Sequence, residues 1–334
     1  MDKKSIRWLA LLVTVAMALM LGGCMTGGTG ENVQDDTQGT QAGAGAPAPK
    51  IPERLELSQG VPQLLVYNAQ TEQYQQMDME DYLAGVLAGE MRNDWPMEAL
   101  KAQAILARTY ALKFMEDKQS RYGGADISTD VREAQAYDAG KVNERVQKAV
   151  EETRGEVLSA GGELPYAWFH AHAGNVTELA TAALEFDGEE PPYTQSVRSP
   201  DSDKAPTTVK QWKARYSAEE VGAACADTGV KTGTVKTLEI GEKGASGRAV
   251  TFVVNGKTVS APALRLALDG TKFKSTLLDG ALVEGDKVTF SGKGYGHGVG
   301  MSQWGAYGMA ESGAKAEDIV KHYFKNVEIA KLWA

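Results

Sequence analysis

Three short stretches of the chain combine residue types that could do chemistry. Glu90 closes the run Ala84-Gly85-Val86-Leu87-Ala88-Gly89-Glu90-Met91. A carboxyl partly buried by apolar neighbours has a raised pKa and can serve as a general acid near neutral pH. Ala88 and Gly89 surround it with small groups that leave room for a ligand, and Lys101 and Arg108 follow on what reads as the next helix. The second stretch is Ser291-Gly-Lys-Gly-Tyr-Gly-His-Gly-Val-Gly-Met-Ser-Gln-Trp-Gly305, with glycines at 292, 294, 296, 298 and 300. It fits neither a dinucleotide nor a Walker fingerprint. Alternating glycines let the backbone bend and let a ligand approach main-chain N–H groups. Tyr295, His297, Gln303 and Trp304 offer hydrogen bonds and an aromatic face, which suits a sugar. The competing reading is a plain Gly-rich turn before a helix starting near Ser302, with His297 satisfied internally. The third stretch runs from Trp168 to Glu178 and holds His170 and His172. On a strand, i and i+2 share a side, so the two rings could share a metal. Zinc needs a third ligand and usually a fourth, and only Cys225, His297, His322 and carboxylates remain. His170 is therefore read as a hydrogen-bonding residue in or beside the site, and no metal or other cofactor is assigned.

The elements that must position these residues follow from periodicity and turn chemistry. Leu64 to Tyr67 reads as a strand. Apolar residues at 79, 82, 83, 86 and 87 predict a helix over 79–91, with Asp78 as its N-cap. Asn93-Asp94-Trp95-Pro96 breaks it, and Pro96 suits the start of a second helix over 97–117. A third helix covers 142–154 and ends at Gly155. Strands follow at 156–159, 166–170, 235–240, 249–254 and 287–291, linked by Gly-rich turns, with a short helix over 261–269 and a last amphipathic one over 316–325. Helices early and strands late predict an α+β fold, a helical N-terminal part followed by a mixed or antiparallel β-rich part.

Composition limits the function classes. The chain has 334 residues, 35 Lys+Arg against 44 Asp+Glu and a net charge of −9, which argues against a nucleic-acid partner. Two cysteines cannot build a disulfide scaffold or a four-cysteine zinc site. The N-terminus carries Lys3, Lys4 and Arg7, an apolar run from Trp8 to Leu21, and Leu21-Gly22-Gly23-Cys24. This is the basic–apolar–small pattern of an export leader, with a run short of the roughly 20 residues of a bilayer span. Leu-Gly-Gly-Cys looks like a bacterial lipobox, so residues 1–23 are expected to be removed, Cys24 to be lipidated, and the protein to sit outside the cytoplasmic membrane on a lipid anchor. Removal leaves a mature chain of about −11. With Cys24 modified, Cys225 has no partner and is expected to be a small buried residue. Residues 24–51, rich in Gly, Thr, Gln, Ala and Asp, read as a flexible tether, and 52–334 as one folded domain.

At these residues the chain resembles the stage II sporulation protein D family, which includes amidase enhancers, over about residues 60–326. Tyr295-Gly-His-Gly-Val-Gly-Met-Ser-Gln-Trp-Gly-Ala306 looks like its signature run, with Trp304 where Tyr is common. Glu90, then Met97 to Ala104, then Ala107-Arg108-Thr109-Tyr110, resembles its catalytic block. Phe169-His170 with Gly174 and Thr177-Glu178, Pro192-Tyr193 with Val197 and Ser199-Pro200, and Asp318 to Phe324 match further blocks in order. Some members bind a structural metal through cysteines near the His170 block, and this chain has none there.

The resemblance implies a peptidoglycan lytic transglycosylase that cuts N-acetylmuramic acid–N-acetylglucosamine bonds, in sporulating members on strands stripped of stem peptides by an amidase. It implies Glu90 as the catalytic acid/base, with Arg108 holding the muramyl lactyl carboxylate or orienting Glu90. Tyr110, His170, Tyr295, His297, Gln303 and Trp304 would then line the substrate site. The expected partners are glycan strands, a cell-wall amidase, and the membrane through the lipid anchor. Two other classes stay open: a non-catalytic glycan-binding module that stimulates an amidase, and a zinc-dependent wall hydrolase using His170 and His172.

Overall fold

The computed structural model describes residues 48–334. The leader, Cys24 and the tether as far as residue 47 lie outside the described residues. The first part of the chain is a small sheet followed by helices. β1 (Glu56–Ser58) and β3 (Gln73–Asp78) pair antiparallel with β2 (Val61–Asn68), and β4 (Ile127–Ser128) pairs parallel with it. α1 (Met79–Glu90) starts at Asp78, whose side chain accepts from the Asp81 amide at 2.9 Å. Its residues Met79, Tyr82, Leu83, Val86 and Leu87 are fully buried, as the spacing predicts.

α2 (Met97–Asp117) starts behind Pro96 and is buried on most of its circumference. An apolar helix of that kind belongs inside a core, not on its surface. One face of α2 joins α1, the N-terminal sheet and α3 (Glu144–Glu152) in one apolar cluster. Another face joins β5 (Glu156–Ser159) and β6 (Phe169–His170) to the end of the chain in a second.

Two short helices, α4 (Ala180–Ala183) and α5 (Thr207–Lys210), lead to a separately cored region. There β7 (Trp212–Ser217) precedes α6 (Ala218–Asp227), which is closed by a Ser217/Glu220 capping box. β8 (Leu238–Ile240), β9 (Thr251–Val254) and β10 (Lys257–Ser260) form one antiparallel sheet. α7 (Ala261–Ala267) then precedes β11 (Leu278–Glu284) and β12 (Lys287–Gly292), which form a second with β7. Trp212, Phe252, Phe273 and Phe290 fill the space between them, along with the fully buried Cys225, which has no disulfide partner among the described residues.

The chain then returns. β13 (Met301–Ser302) pairs parallel with β6, α8 (Gln303–Glu311) and α9 (Ala316–Tyr323) pack on α2, and β14 (Glu328–Lys331) pairs with β5. The fold is α+β as expected, with one refinement. The β-rich part is not the end of the molecule but an excursion between two contributions to the same helical core.

Candidate active site

Glu90 is the last residue of α1, and Met91 turns extended immediately after it. The following turn and α3 form with it a cleft of about 500 Å³, lined by Glu90, Arg92, Asn93, Asp94, Lys141 and Arg145 among others. The carboxyl is held from two sides. The Ala136 amide donates to Oε1 at 2.7 Å, and Gln303 Nε2 lies 3.4 Å from Oε2 and 3.3 Å from the Glu90 carbonyl. Burial raises the pKa of Glu90, and these two donors oppose that rise without cancelling it. The group is thus biased toward the protonated form yet oriented as an anion would be.

The Ala136 contact depends on two glycines one helical turn apart. A Cβ added at Gly89 would lie 2.7 Å from the Tyr137 nitrogen and 2.8 Å from the Ala136 carbonyl carbon. One at Gly85 would run into the Tyr137 ring, and the Gly85 carbonyl accepts from the Asp138 amide at 2.9 Å. Residues i and i+4 share a helix face, so the pair makes a shallow track for the 136–138 backbone. The Cβ direction of Gly89 is therefore filled by the chain's own loop, while Ala88 and Gly89 also line the cleft beside Glu90.

Gln303 reaches Glu90 because β6 and β13 pair in the register Met301 with Phe169 and Ser302 with His170. Ser302 caps α8 by accepting from the Gly305 amide at 3.2 Å and donates to Asp201 at 2.6 Å. Gln303 Nε2 also lies 3.4 Å from Gln103 Oε1 on α2. Gln103 Nε2 and both polar atoms of Gln135 are buried without a partner among the described residues. Such orphaned groups are costly in a native core and concentrate where a ligand or water completes them. Tyr110 is near enough that the Glu90 charge adds to burial in raising its phenol pKa, and its ring meets Phe169 edge-on. Trp304 packs at 4.4 Å on Trp95, the residue after the cleft-lining Asp94, and Tyr307 completes an aromatic cluster. Glu90, Tyr110, Gln303 and Trp304 thus come together.

Arg108 does not join them. It is fully buried, with Nε 3.2 Å and Nη2 2.6 Å from the Glu80 carboxylate and Nη1 donating to the Glu156 carbonyl at 2.8 Å. Glu80 Oε1 also accepts from the Gly155 amide at 3.1 Å and from Trp333 Nε1 at 2.8 Å. The expectation that Arg108 binds substrate or orients Glu90 is overturned, because its guanidinium clamps α1, α2, the 155 turn and the C-terminus together. Lys101 likewise turns away, to Glu98 and Glu152.

His170, Tyr295 and His297 form a different constellation, at the seam with the inserted β-rich region. His170 is 4% exposed and its Nδ1 lies 3.1 Å from the Val299 carbonyl. Its Nε2 is buried with no hydrogen-bond partner among the described residues, so the ring stands beside the site as a hydrogen-bonding residue. His297 accepts at Nδ1 from the Val299 amide at 3.0 Å, also bonds the Phe169 backbone, and has its pKa lowered to about 3, chiefly by burial. Tyr295 exchanges both backbone hydrogen bonds with His172. His172 Nδ1 accepts from the Gly174 amide at 3.0 Å and lies 3.4 Å from Asp201. Among the described residues no group of three or more His, Cys, Asp or Glu is placed to hold a metal ion. The glycines of the run serve this seam. Gly294, Gly296, Gly298 and Gly300 all have positive φ. Added Cβ atoms would lie 2.9 Å from the His172 carbonyl at Gly294, 2.7 Å from His170 Cβ at Gly296, and 2.5 Å from the Arg248 guanidinium at Gly298. Close approach is indeed why glycine stands there, but to the protein itself.

Sequence reasoning missed Gln103, the Ala136 amide, Trp95 and Arg145. Gln103 and Trp95 stood inside or beside segments already singled out. The 136 loop gave no signal apart from the Gly85/Gly89 spacing on α1.

A Stage II sporulation protein family model matches residues 67–159, which include Glu90, and a domain of unknown function (DUF8618) matches 173–300. An uncharacterized protein of Brachyspira hyodysenteriae is 31% identical over 254 residues, covering 76% of this chain and 67% of that one. The stage II sporulation protein D of Bacillus subtilis is 30% identical over 307 residues, covering 85% and 83%. A protein of the same organism named amidase enhancer is 30% identical over 288 residues, covering 72% of this chain and 39% of its own length. The chain belongs to the stage II sporulation protein D family.

Proposed function

We propose that this protein is a cell-wall enzyme, a peptidoglycan lytic transglycosylase with Glu90 as its one acid/base. The observation that carries the reading is the Glu90 carboxyl: its pKa is raised by burial, it opens on a cleft, and it is oriented by Ala136 and Gln303. Protonated Glu90 donates to the oxygen leaving muramyl C1. The resulting carboxylate takes the proton of the muramyl C6 hydroxyl, whose oxygen bonds to C1 and closes a 1,6-anhydro ring. The proton is returned to Glu90 and no water is consumed. Ordinary glycosidases need a second carboxylate as nucleophile or base. The other carboxylate lining this cleft, Asp94, is exposed and held at two points by Arg92, at 3.1 and 2.7 Å, which lowers its pKa and suits it poorly as a base. That favours a mechanism with a single acid/base.

Mass spectrometry of glycan digests tests this. Wild type is expected to release 1,6-anhydro ends, and Glu90→Gln none while remaining folded. Strong glycan binding by wild type with no anhydro product would overturn it. The name amidase enhancer carried by one relative favours a second reading, a non-catalytic glycan-binding stimulator of an amidase. Under that reading Glu90→Gln leaves stimulation of a wall amidase intact. We also propose export with lipid anchoring at Cys24, on the strength of the Leu21-Gly22-Gly23-Cys24 sequence. Mass spectrometry of the membrane-extracted protein that shows Cys24 unmodified or residues 1–23 still attached would contradict it.

A further inference from the structure

The Glu90 cleft is cationic on an acidic protein. Its lining includes Arg92, Lys141 and Arg145 against the carboxyls Glu90 and Asp94, in a chain of net charge −9. Three cations stand against two carboxyls, so the lining carries an excess of positive charge. Two of the three cations are already paired. Arg92 holds Asp94, and Lys141 lies 2.7 Å from Asp138. Arg145 has no carboxylate within ion-pair distance among the described residues. Its Nε donates to the Asn93 carbonyl at 3.1 Å and its Nη2 to the Trp95 carbonyl at 2.6 Å. Two carbonyls of the turn after Glu90 thus fix the guanidinium, while Nη1 makes no hydrogen bond among the described residues. A planar cation held in this way suits a carboxylate, since the ordering entropy has been lost before the ligand arrives. Beside it, Asn93 Oδ1 is buried without a partner among the described residues, an acceptor that suits a sugar hydroxyl or acetamido N–H.

We propose that Arg145 is the carboxylate receptor of the Glu90 cleft and reads the free lactyl carboxylate of a muramic acid residue. The inference rests on the glycan reading of the cleft, and it fills the role that Arg108 cannot. A wall glycan has two sources of carboxylate. The lactyl group carries one only where the stem peptide has been removed, and the stem peptide carries its own. The cleft places Arg145 together with Glu90 in about 500 Å³, which fits a carboxylate borne on the sugar itself better than one at the end of a peptide.

The test is calorimetric binding to the Glu90→Gln protein, which separates recognition from turnover. Three probes are used: a muramic acid–N-acetylglucosamine tetrasaccharide without stem peptides, the same tetrasaccharide bearing them, and an N-acetylglucosamine tetramer. The stripped tetrasaccharide is expected to bind tightest. Adding Arg145→Gln should weaken it roughly 10- to 100-fold, the range for a charge-assisted hydrogen bond, and leave the N-acetylglucosamine tetramer unchanged. Arg145→Lys should recover part of the loss, which also guards against a folding defect. Equal weakening of all three probes, or none, would overturn the proposal. A loss confined to the peptide-bearing probe would overturn the lactyl assignment. Absence of anhydro products from the wild-type enzyme would end the lytic reading but leave an Arg145-dependent carboxylate preference standing.

Discussion

Gln303 Nε2 lies 3.4 Å from Glu90 Oε2, so a side chain at the start of α8 bears on a carboxyl at the end of α1, 213 residues away. The amide stabilises the anionic form of Glu90 against the burial that disfavours it. Gln303→Ala is therefore expected to raise the Glu90 pKa further. An acid catalyst works while protonated, so the alkaline limb of the pH–rate profile should move to higher pH while the maximal rate falls. A limb that stays in place or moves to lower pH would show that Gln303 does not act on this carboxyl.

The same balance sets a stability expectation. A carboxyl whose folded pKa is raised above its unfolded value costs stability at any pH above both. Glu90→Gln removes that cost and keeps an oxygen for the Ala136 amide. The variant should be inactive and melt higher than wild type at pH 7, by a few degrees at most. A lower melting temperature would mean that the charged form is favoured by the fold.

Gly89→Ala probes the track on α1. Alanine gains about 1 kcal/mol of helix propensity over glycine. Overpacking against backbone costs about 1–3 kcal/mol, and here the methyl would meet the Ala136–Tyr137 main chain at 2.7–2.8 Å. The net effect should be destabilising, with loss of activity as the amide leaves Glu90. Gly85→Ala meets the Tyr137 side chain first and not backbone, and should retain more activity. Equal behaviour of the two variants in melting and turnover would contradict this.

Arg108→Ala leaves Glu80 buried and uncompensated, and removing one partner of such a pair costs about 3–5 kcal/mol. The double variant Glu80→Leu with Arg108→Met should recover much of that in chemical denaturation. Whatever fraction of Arg108→Ala remains folded should bind glycan with unchanged affinity. A selective binding defect in well-folded protein would return Arg108 to the substrate site.

The seam histidines predict acid sensitivity. His170 and His297 have pKa values lowered by burial, His297 to about 3. Their folded pKa values lie below the ordinary value of about 6.5, so the unfolded chain takes up their protons first. Stability is then full above about pH 6.5 and declines toward pH 3, by at most about 1.4 kcal/mol per pH unit for each histidine. Urea midpoints measured from pH 7 to 4 should fall, and His297→Asn should flatten the slope. An unchanged slope would place the acid transition elsewhere.

Local patterns in the sequence sufficed for the helices around Glu90, since burial of residues 79, 82, 83, 86 and 87 and the caps at Asp78 and Pro96 are encoded within a few positions of one another. They also marked Glu90, Gln303 and Trp304 as residues to watch, and the family resemblance added Tyr110. What they could not decide was pairing across the chain. An arginine one helix away from a glutamate looks the same in sequence whether it faces that glutamate or another. Only packing turned Arg108 toward Glu80 and left Arg145 beside Glu90. A glycine run likewise signals close approach of something to the backbone, but not of what. Here the tertiary fold supplies the neighbour, because the chain builds a second core from Trp212 onward and returns through a seam with His170 and His172 on one side and Arg248 of the inserted region on the other.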